Sequence, residues 1–299
     1  MLPDRELYPF ESHFLLRNDL KYHYLDEGRG ETVVMVHGNP TWSFYWRNLA
    51  LALRSQYRVI VPDHMGCGLS DKPDDTHYRY TLDQRVDDLE ALLEHLGLRE
   101  NITLVLHDWG GMIGMAYATR HPERIKRLVV MNTAAFLLPP AKKFPLALWL
   151  VRNTALGSFL VRGFNAFSFG ASVIGTKRAK LGAKVRKAYR APYDTWSNRI
   201  ATLRFVQDIP LKEGDPAWTT CHGVQENLQQ FKNIPLLICW GEKDFVFSVE
   251  FLEEWIRRFP DAQVHRWSDG GHYILEDAAD EITQLVKDFL REHPLEVAA

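Results

Sequence analysis

Apolar residues occur along this chain in short closed runs, each cut off by glycine, proline or a charged residue. Residues 32–37 (TVVMVH), 102–106 (ITLVL), 127–131 (RLVVM) and 235–240 (PLLICW) are nearly unbroken apolar runs rich in β-branched residues. Such runs suit strands buried on both faces. Further strands are predicted at residues 14–16, 21–25, 57–61 and 263–267, and helices over residues 44–53 and from Glu276 to about Arg291. Strand and helix alternate up to about Asn132, which predicts an α/β fold with a mostly parallel, twisted sheet flanked by helices. The pattern then breaks. From Phe136 to about Trp218 there are only helical stretches separated by Gly and Pro, and strand-like residues resume at Ile234. The expected organisation is a core of residues 1–135 and 219–299 with a helical cap, residues 136–218, inserted over the carboxyl ends of the strands, where open α/β sheets bind ligands.

The most informative junction is LVLHDWGG, residues 104–111, where an apolar run stops at an acid followed by Trp and two glycines. This reads as strand, tight turn and helix start, with Asp108 at the apex and Gly110 and Gly111 small enough to let the helix pack on the strand. A carboxylate with a reference pKa of about 3.9 is ionised at neutral pH and needs no base to attack. It therefore suits displacement at a carbon bearing a leaving group. The competing reading is an Asp that caps a helix. Other junctions supply the partners such a nucleophile needs. The strand at 32–37 enters Gly38-Asn39-Pro40, a strand-to-helix loop of the kind that supplies an oxyanion donor. The strand at 235–240 leads to Asp244, and Gly270-Gly271-His272 follows the strand at 263–267.

On these residues the chain resembles the haloalkane dehalogenase-like branch of the α/β-hydrolases. The motifs are HGNPTWSFYWRN (37–48), VPDHMGCGLSDKP (61–73), LHDWGG (106–111), WGEKD (240–244) and GGHYILED (270–277), in the nucleophile, acid, histidine order of that fold. HGN together with HDW is the most specific pairing. The resemblance implies that Asp108 attacks carbon, that the side chains of Asn39 and Trp109 donate to the leaving group, and that their main-chain N–H groups hold an oxyanion. It also implies that His272, oriented by Asp244, is the general base. Asn132 stands where some members carry their acid as Glu; an amide cannot do that work, which points to Asp244.

Within this branch the chain looks most like the subgroup that includes the β-lactone decarboxylases of bacterial long-chain olefin synthesis, an impression strengthened by MNTAAFLLP (131–139) and VRGFNAFSFGA (161–171). The implied reaction converts a cis-β-lactone, a 3,4-dialkyl-oxetan-2-one, to a cis-alkene. Haloalkane dehalogenation is the alternative and uses the same residues. Epoxide hydrolysis is a third reading and needs cap tyrosines as proton donors, for which Tyr189 and Tyr193 are the candidates. A non-catalytic receptor on this scaffold is disfavoured by the intact Asp108, His272 and Asp244. No cofactor or metal is expected.

Composition narrows the partners. At 299 residues and 46% apolar content the chain can bury a large core, and a net charge of −2 offers no field for nucleic acid. Cys67, Cys221 and Cys239 are too scattered for a disulfide framework, and MLPDRELYPF lacks the basic start and apolar stretch of a signal peptide, so a cytoplasmic location is expected. Residues 144–169 are largely apolar but are interrupted by Arg152, Asn153, Gly157, Arg162 and Asn165, which argues against a transmembrane span. They either seal the cap on the core or form a channel or surface for a long apolar small-molecule substrate. Residues 177–190 carry Lys177, Arg178, Lys180, Lys184, Arg186, Lys187 and Arg190 with no acid. The default is a solvated helix face; docking to itself, to pathway enzymes or to a membrane surface is the alternative.

Overall fold

The computed structural model describes residues 4–295. The first three residues of MLPDRELYPF and residues 296–299 lie outside that range. Strands β1 (His13–Arg17), β2 (Leu20–Glu27), β3 (Thr32–Val36), β4 (Arg58–Pro62), β5 (Ile102–Asp108), β6 (Ile125–Thr133), β7 (Leu236–Gly241) and β8 (Gln263–Trp267) form one sheet in the order β1-β2-β4-β3-β5-β6-β7-β8. β1 and β2 pair antiparallel, as do β2 and β4, and all other neighbours are parallel. Central strands β3, β5 and β7 are buried at every residue, which is why their sequences lack alternation, whereas edge strand β1 alternates.

Successive residues of one strand feed different cores. Val33 and Met35 of β3 join the cluster under α1 (Arg47–Leu53), whereas Val34 and Val36 join the cluster containing α2 (Leu82–His95) and α3 (Trp109–Arg120). The predicted helix at 44–53 begins as a 3-10 turn, Ser43–Trp46, before α1.

Between β6 and β7 the chain forms only helices: α4 (Leu146–Asn153), α5 (Ala155–Phe164), α6 (Ala166–Ile174), α7 (Ala183–Arg190), α8 (Ile200–Gln207) and α9 (Trp218–Asn227), with short 3-10 turns. Thr154 caps α5 by accepting the Gly157 N–H at 3.0 Å. α4 and α5 pack on α8, whereas α9 packs on α3 of the sheet layer. Of the basic stretch 177–190 only Ala183–Arg190 is helical, because Gly182 marks the helix start. After β7 come α10 (Val249–Arg258), β8, α11 (Ile274–Asp277) and α12 (Ala279–Glu292). The helix predicted from Glu276 is thus two helices, starting at Ile274 and broken at Ala278, which takes φ −135°. Among the described residues no helix is long and apolar enough to cross a membrane.

Candidate active site

Asp108 ends β5 at φ +52°, ψ −127°, a backbone conformation rare for a residue with a side chain. The turn is held by close packing. A Cβ on Gly110 would collide with the carbonyl of Val36, and one on Gly111 with the hydroxyl of Thr133. The Thr133 hydroxyl donates to the Asp108 carbonyl at 2.5 Å. The Asp108 carboxylate is thereby thrust to the strand ends, where its Oδ1 accepts the Asn39 main-chain N–H at 2.5 Å and the Trp109 main-chain N–H also donates. Burial pushes the Asp108 carboxyl up to about 6, against the pull of the His272 charge and these two N–H groups. The Gly38 loop is braced from behind: His37 Nδ1 lies 2.8 Å from the Gly38 carbonyl, and the His64 N–H donates to His37 Nε2 at 3.1 Å.

His272 reaches the same carboxylate from the loop after β8. Its Nε2 is 3.7 Å from Asp108 Oδ2, and its Nδ1 is 2.8 Å from Asp244 Oδ2. Burial opposes an imidazolium here, but the charge and hydrogen bond of Asp244, with Asp108 beyond, outweigh it and raise the pKa above the ordinary histidine value. Asp244 is itself fixed, its Oδ1 accepting the Val246 N–H at 2.7 Å. The structure thus brings Asp108, His272 and Asp244, distant in sequence, into one line.

Two residues that hold this line carry no role in the sequence reading. Asn132 Nδ2 donates to Asp244 Oδ2 at 3.1 Å and to the Gly241 carbonyl at 2.9 Å, while its Oδ1 accepts the Gly241 N–H at 2.8 Å. An amide that cannot act as the acid instead clamps the acid's loop. His107, buried and stacked on Tyr45 with ring centroids 4.3 Å apart, places Nε2 2.8 Å from the His272 carbonyl. Adjacent residues of a strand face opposite ways, so His107 braces the histidine loop from behind while Asp108 faces forward. The cue was available in HDW, but its partner lies far along the chain.

Asn39 and Trp109 flank Asp108 in the wall of a cavity of about 390 Å³. Asn39 Nδ2 donates to the Thr202 carbonyl on α8 at 3.0 Å, which orients the amide and uses one of its two N–H groups. Trp109 packs on Phe205 of α8, ring centroids 5.5 Å apart, and its indole N–H hydrogen-bonds to no other described residue. Polar side chains in the lining are few: Asn39, Asp108, Lys142 and His272, with the Cys221 thiol and the Trp109 indole. The rest is apolar and includes Leu148, Val151, Leu160, Phe167 and Ile174 from α4, α5 and α6. Residues 144–169 therefore line a cavity on one side. They also present Leu146, Trp149, Leu156, Phe159, Phe164 and Phe169 to solvent on the other.

The candidate tyrosines are corrected by the structure. The Tyr189 hydroxyl donates to Glu276, which also pairs with Arg47, and the Tyr193 hydroxyl donates to the Thr41 carbonyl at 3.1 Å. Both are buried and neither lines the cavity, so neither protonates an epoxide there.

Known proteins resemble this chain in sequence and in fold. The family model for the alpha/beta hydrolase fold matches residues 31–279. A cis-3-alkyl-4-alkyloxetan-2-one decarboxylase of Shewanella oneidensis is 60% identical over 96% of this chain and 90% of that protein. One of the same name from Xanthomonas campestris pv. campestris is 48% identical over 94% of this chain and 95% of that protein. Haloalkane dehalogenases are more distant relatives, one from Mycobacterium tuberculosis being 30% identical over 95% of this chain and 96% of that protein. Among solved structures, a haloalkane dehalogenase of Agrobacterium tumefaciens C58 shares the fold with TM-score 0.85 at 24% identity, over 97% of this chain and 100% of that one.

Proposed function

Because this chain belongs to the alpha/beta hydrolase fold family and is an enzyme of that class, we propose that it decarboxylates cis-3,4-dialkyl-oxetan-2-ones to cis-alkenes, with Asp108 as nucleophile. The observation that carries this reading is an Asp108 carboxylate at the floor of an apolar cavity, beside side-chain donors on Asn39 and Trp109. The 60% identity to a protein named for that substrate class supports it.

The chemistry balances without water. Asp108 Oδ2 attacks the ring carbon that bears the ring oxygen; a C–O bond to Asp108 forms and the ring C–O bond breaks, leaving a carboxylate. The free N–H of Asn39 and the indole N–H of Trp109 stabilise that carboxylate as its charge develops, at no cost in reorganisation. The bond from the carboxylate carbon to its neighbour then breaks. Carbon dioxide departs, the electron pair becomes the C=C bond, and the ester oxygen returns to Asp108. Attack inverts the first carbon, so the Asp108 oxygen stands anti to the carboxylate, and anti loss keeps the two alkyl groups cis. His272, held by Asp244, faces the departing Asp108 oxygen with a charge that favours its release.

The alternative, haloalkane hydrolysis, shares the first step, but water must then open the ester. The 3.7 Å between His272 Nε2 and Asp108 Oδ2 leaves His272 positioned to take that proton. Purified protein given one long-chain cis-β-lactone, one bromoalkane and one epoxide separates the readings. Alkene with carbon dioxide is expected from the lactone; bromide release without any alkene would decide for the dehalogenase. Epoxide hydrolysis is weakened by the burial of Tyr189 and Tyr193 away from the cavity.

Three further parts belong to this reading. The chain divides into a core, residues 1–135 and 219–299, and a helical cap, residues 136–218, supported by the lack of strands between β6 and β7 and by the cap helices that line the cavity. A cytoplasmic location is supported by three buried free cysteines, Cys67, Cys221 and Cys239. Assembly with itself or with the enzymes that supply the lactone draws on the exposed Lys177, Lys180 and Lys187; Arg178 and Lys184 already pair with Asp269, Glu281 and Asp4. Salt-sensitive assembly in sizing experiments is the expected sign.

A further inference from the structure

Of the twelve large apolar side chains that are exposed among the described residues, nine lie between Leu146 and Trp196. That concentration is not scattered surface; such patches mark interaction sites. Leu146 (79% exposed) and Trp149 stand on α4, Leu156, Phe159 and Phe164 (68% exposed) on α5, and Phe169 on α6. α5 packs against both α4 and α6, and Phe159 lies 5.5 Å from Phe164 and 6.2 Å from Trp196, ring centroid to centroid, so the patch is continuous. Cations rim it: Arg162 sits 4.8 Å over the Trp196 ring and Arg190 5.2 Å over Phe169. Residues 136–218 hold fourteen Lys and Arg against four Asp and Glu, a net +10, so the remainder of this −2 chain carries −12.

We infer that the outer face of α4, α5 and α6 docks on an anionic lipid bilayer, with its aromatic and aliphatic side chains in the headgroup boundary and its cations against the lipid phosphates. Apolar side chains on one face with flanking Lys and Arg are the signature of an element that lies in the membrane interface. A second copy bound through the same face would set +10 against +10, which disfavours a symmetric dimer there.

The docked pose has a use that rests on the lactone reading. The cavity is walled largely by apolar side chains, including several from α4, α5 and α6. Ile174 and Phe245 are part of the cavity wall and also exposed, so they mark its mouth, and Ile174 belongs to α6 of the docking face. Chain ends that leave the mouth there pass into the bilayer instead of water.

The test is flotation of the full chain with vesicles of phosphatidylglycerol and phosphatidylcholine, compared with phosphatidylcholine alone, without substrate. Binding to the anionic vesicles, weakened by salt, is expected. The double variant Trp149→Ser, Phe159→Ser, neither residue lining the cavity, is expected to lose at least tenfold in binding. It should keep its turnover of a short, water-dispersed lactone. Failure of the wild type to float with anionic vesicles, or equal flotation of the variant, overturns the inference. So does a variant that changes oligomeric state in sizing but not flotation, which would assign the face to another copy. Because no substrate enters the flotation, its failure leaves the lactone reading standing, and a protein that floats but makes no alkene refutes that reading alone.

Discussion

The sheet layer and the helices between β6 and β7 bury apolar surface by opposite rules. At the strand ends, side chains around Asp108 are held by hydrogen bonds within the protein: Asp244 holds His272, Asn132 holds Asp244, and His107 holds the His272 main chain. Helices α4, α5 and α6 are apolar both toward the cavity and toward solvent, and hydrogen bonds between side chains are few in them. The difference separates two tasks. A hydrogen-bonded network fixes the position of a carboxylate, whereas a polar-poor wall selects by volume and chain length and tolerates repacking.

The comparison breaks first at the proposed nucleophile. Asp108→Asn is expected to abolish turnover while circular dichroism and thermal melting remain near wild type, since the amide keeps the shape. Retention of more than about a hundredth of the rate, a loss within the range of a single general acid or base, would mean that no covalent ester forms. Next in size is His272→Ala. Its bromoalkane hydrolysis should fall by about 10²- to 10⁴-fold and leave an alkyl mass on the peptide containing Asp108, while lactone decarboxylation, which needs no water, falls less. An unmodified peptide, from protein shown to bind the bromoalkane, removes the ester from the scheme.

Trp109→Phe keeps an aromatic ring but deletes the indole N–H, and one such donor is typically worth about 3 kcal/mol, or roughly a hundredfold in rate. Single-turnover formation of the ester should show that loss; slowing of only a later step would mean that the indole serves something other than the leaving group. The pH profile is a smaller test. The proposed attack needs Asp108 as the carboxylate, and burial holds its pKa at about 6, so kcat/KM should drop about tenfold for each pH unit below that point. The same group protonates in the fold from about pH 6 but in the unfolded chain only near 3.8, so its protonation stabilises the fold as pH falls through that window. A melting temperature that collapses together with the rate near pH 6 would therefore assign the profile to other groups.

The smallest effect probes the cap. Gly170 of α6 lines the cavity, and a Cβ there meets nothing within 4 Å, so Gly170→Ala adds a methyl group without displacing neighbours. Each excluded methylene should cost about 0.8 kcal/mol, nearly fourfold in kcat/KM for long-chain lactones, and nothing for short ones. An unchanged chain-length series places the alkyl groups elsewhere.

Local pattern determined much of this molecule. The strands, the turn at Asp108 and the order of Asp108, Asp244 and His272 are legible in the sequence because burial on both faces leaves unbroken apolar runs, and because only small residues fit where α3 meets β3. The tertiary structure alone decided the clamp of Asn132 on Asp244 and the brace of His107 on His272, since each pairs residues more than a hundred positions apart. It alone buried Tyr189 and Tyr193 away from the cavity and turned Trp149 and Phe159 outward. A sequence records that a side chain is aromatic; which way it faces depends on neighbours that only folding brings to it.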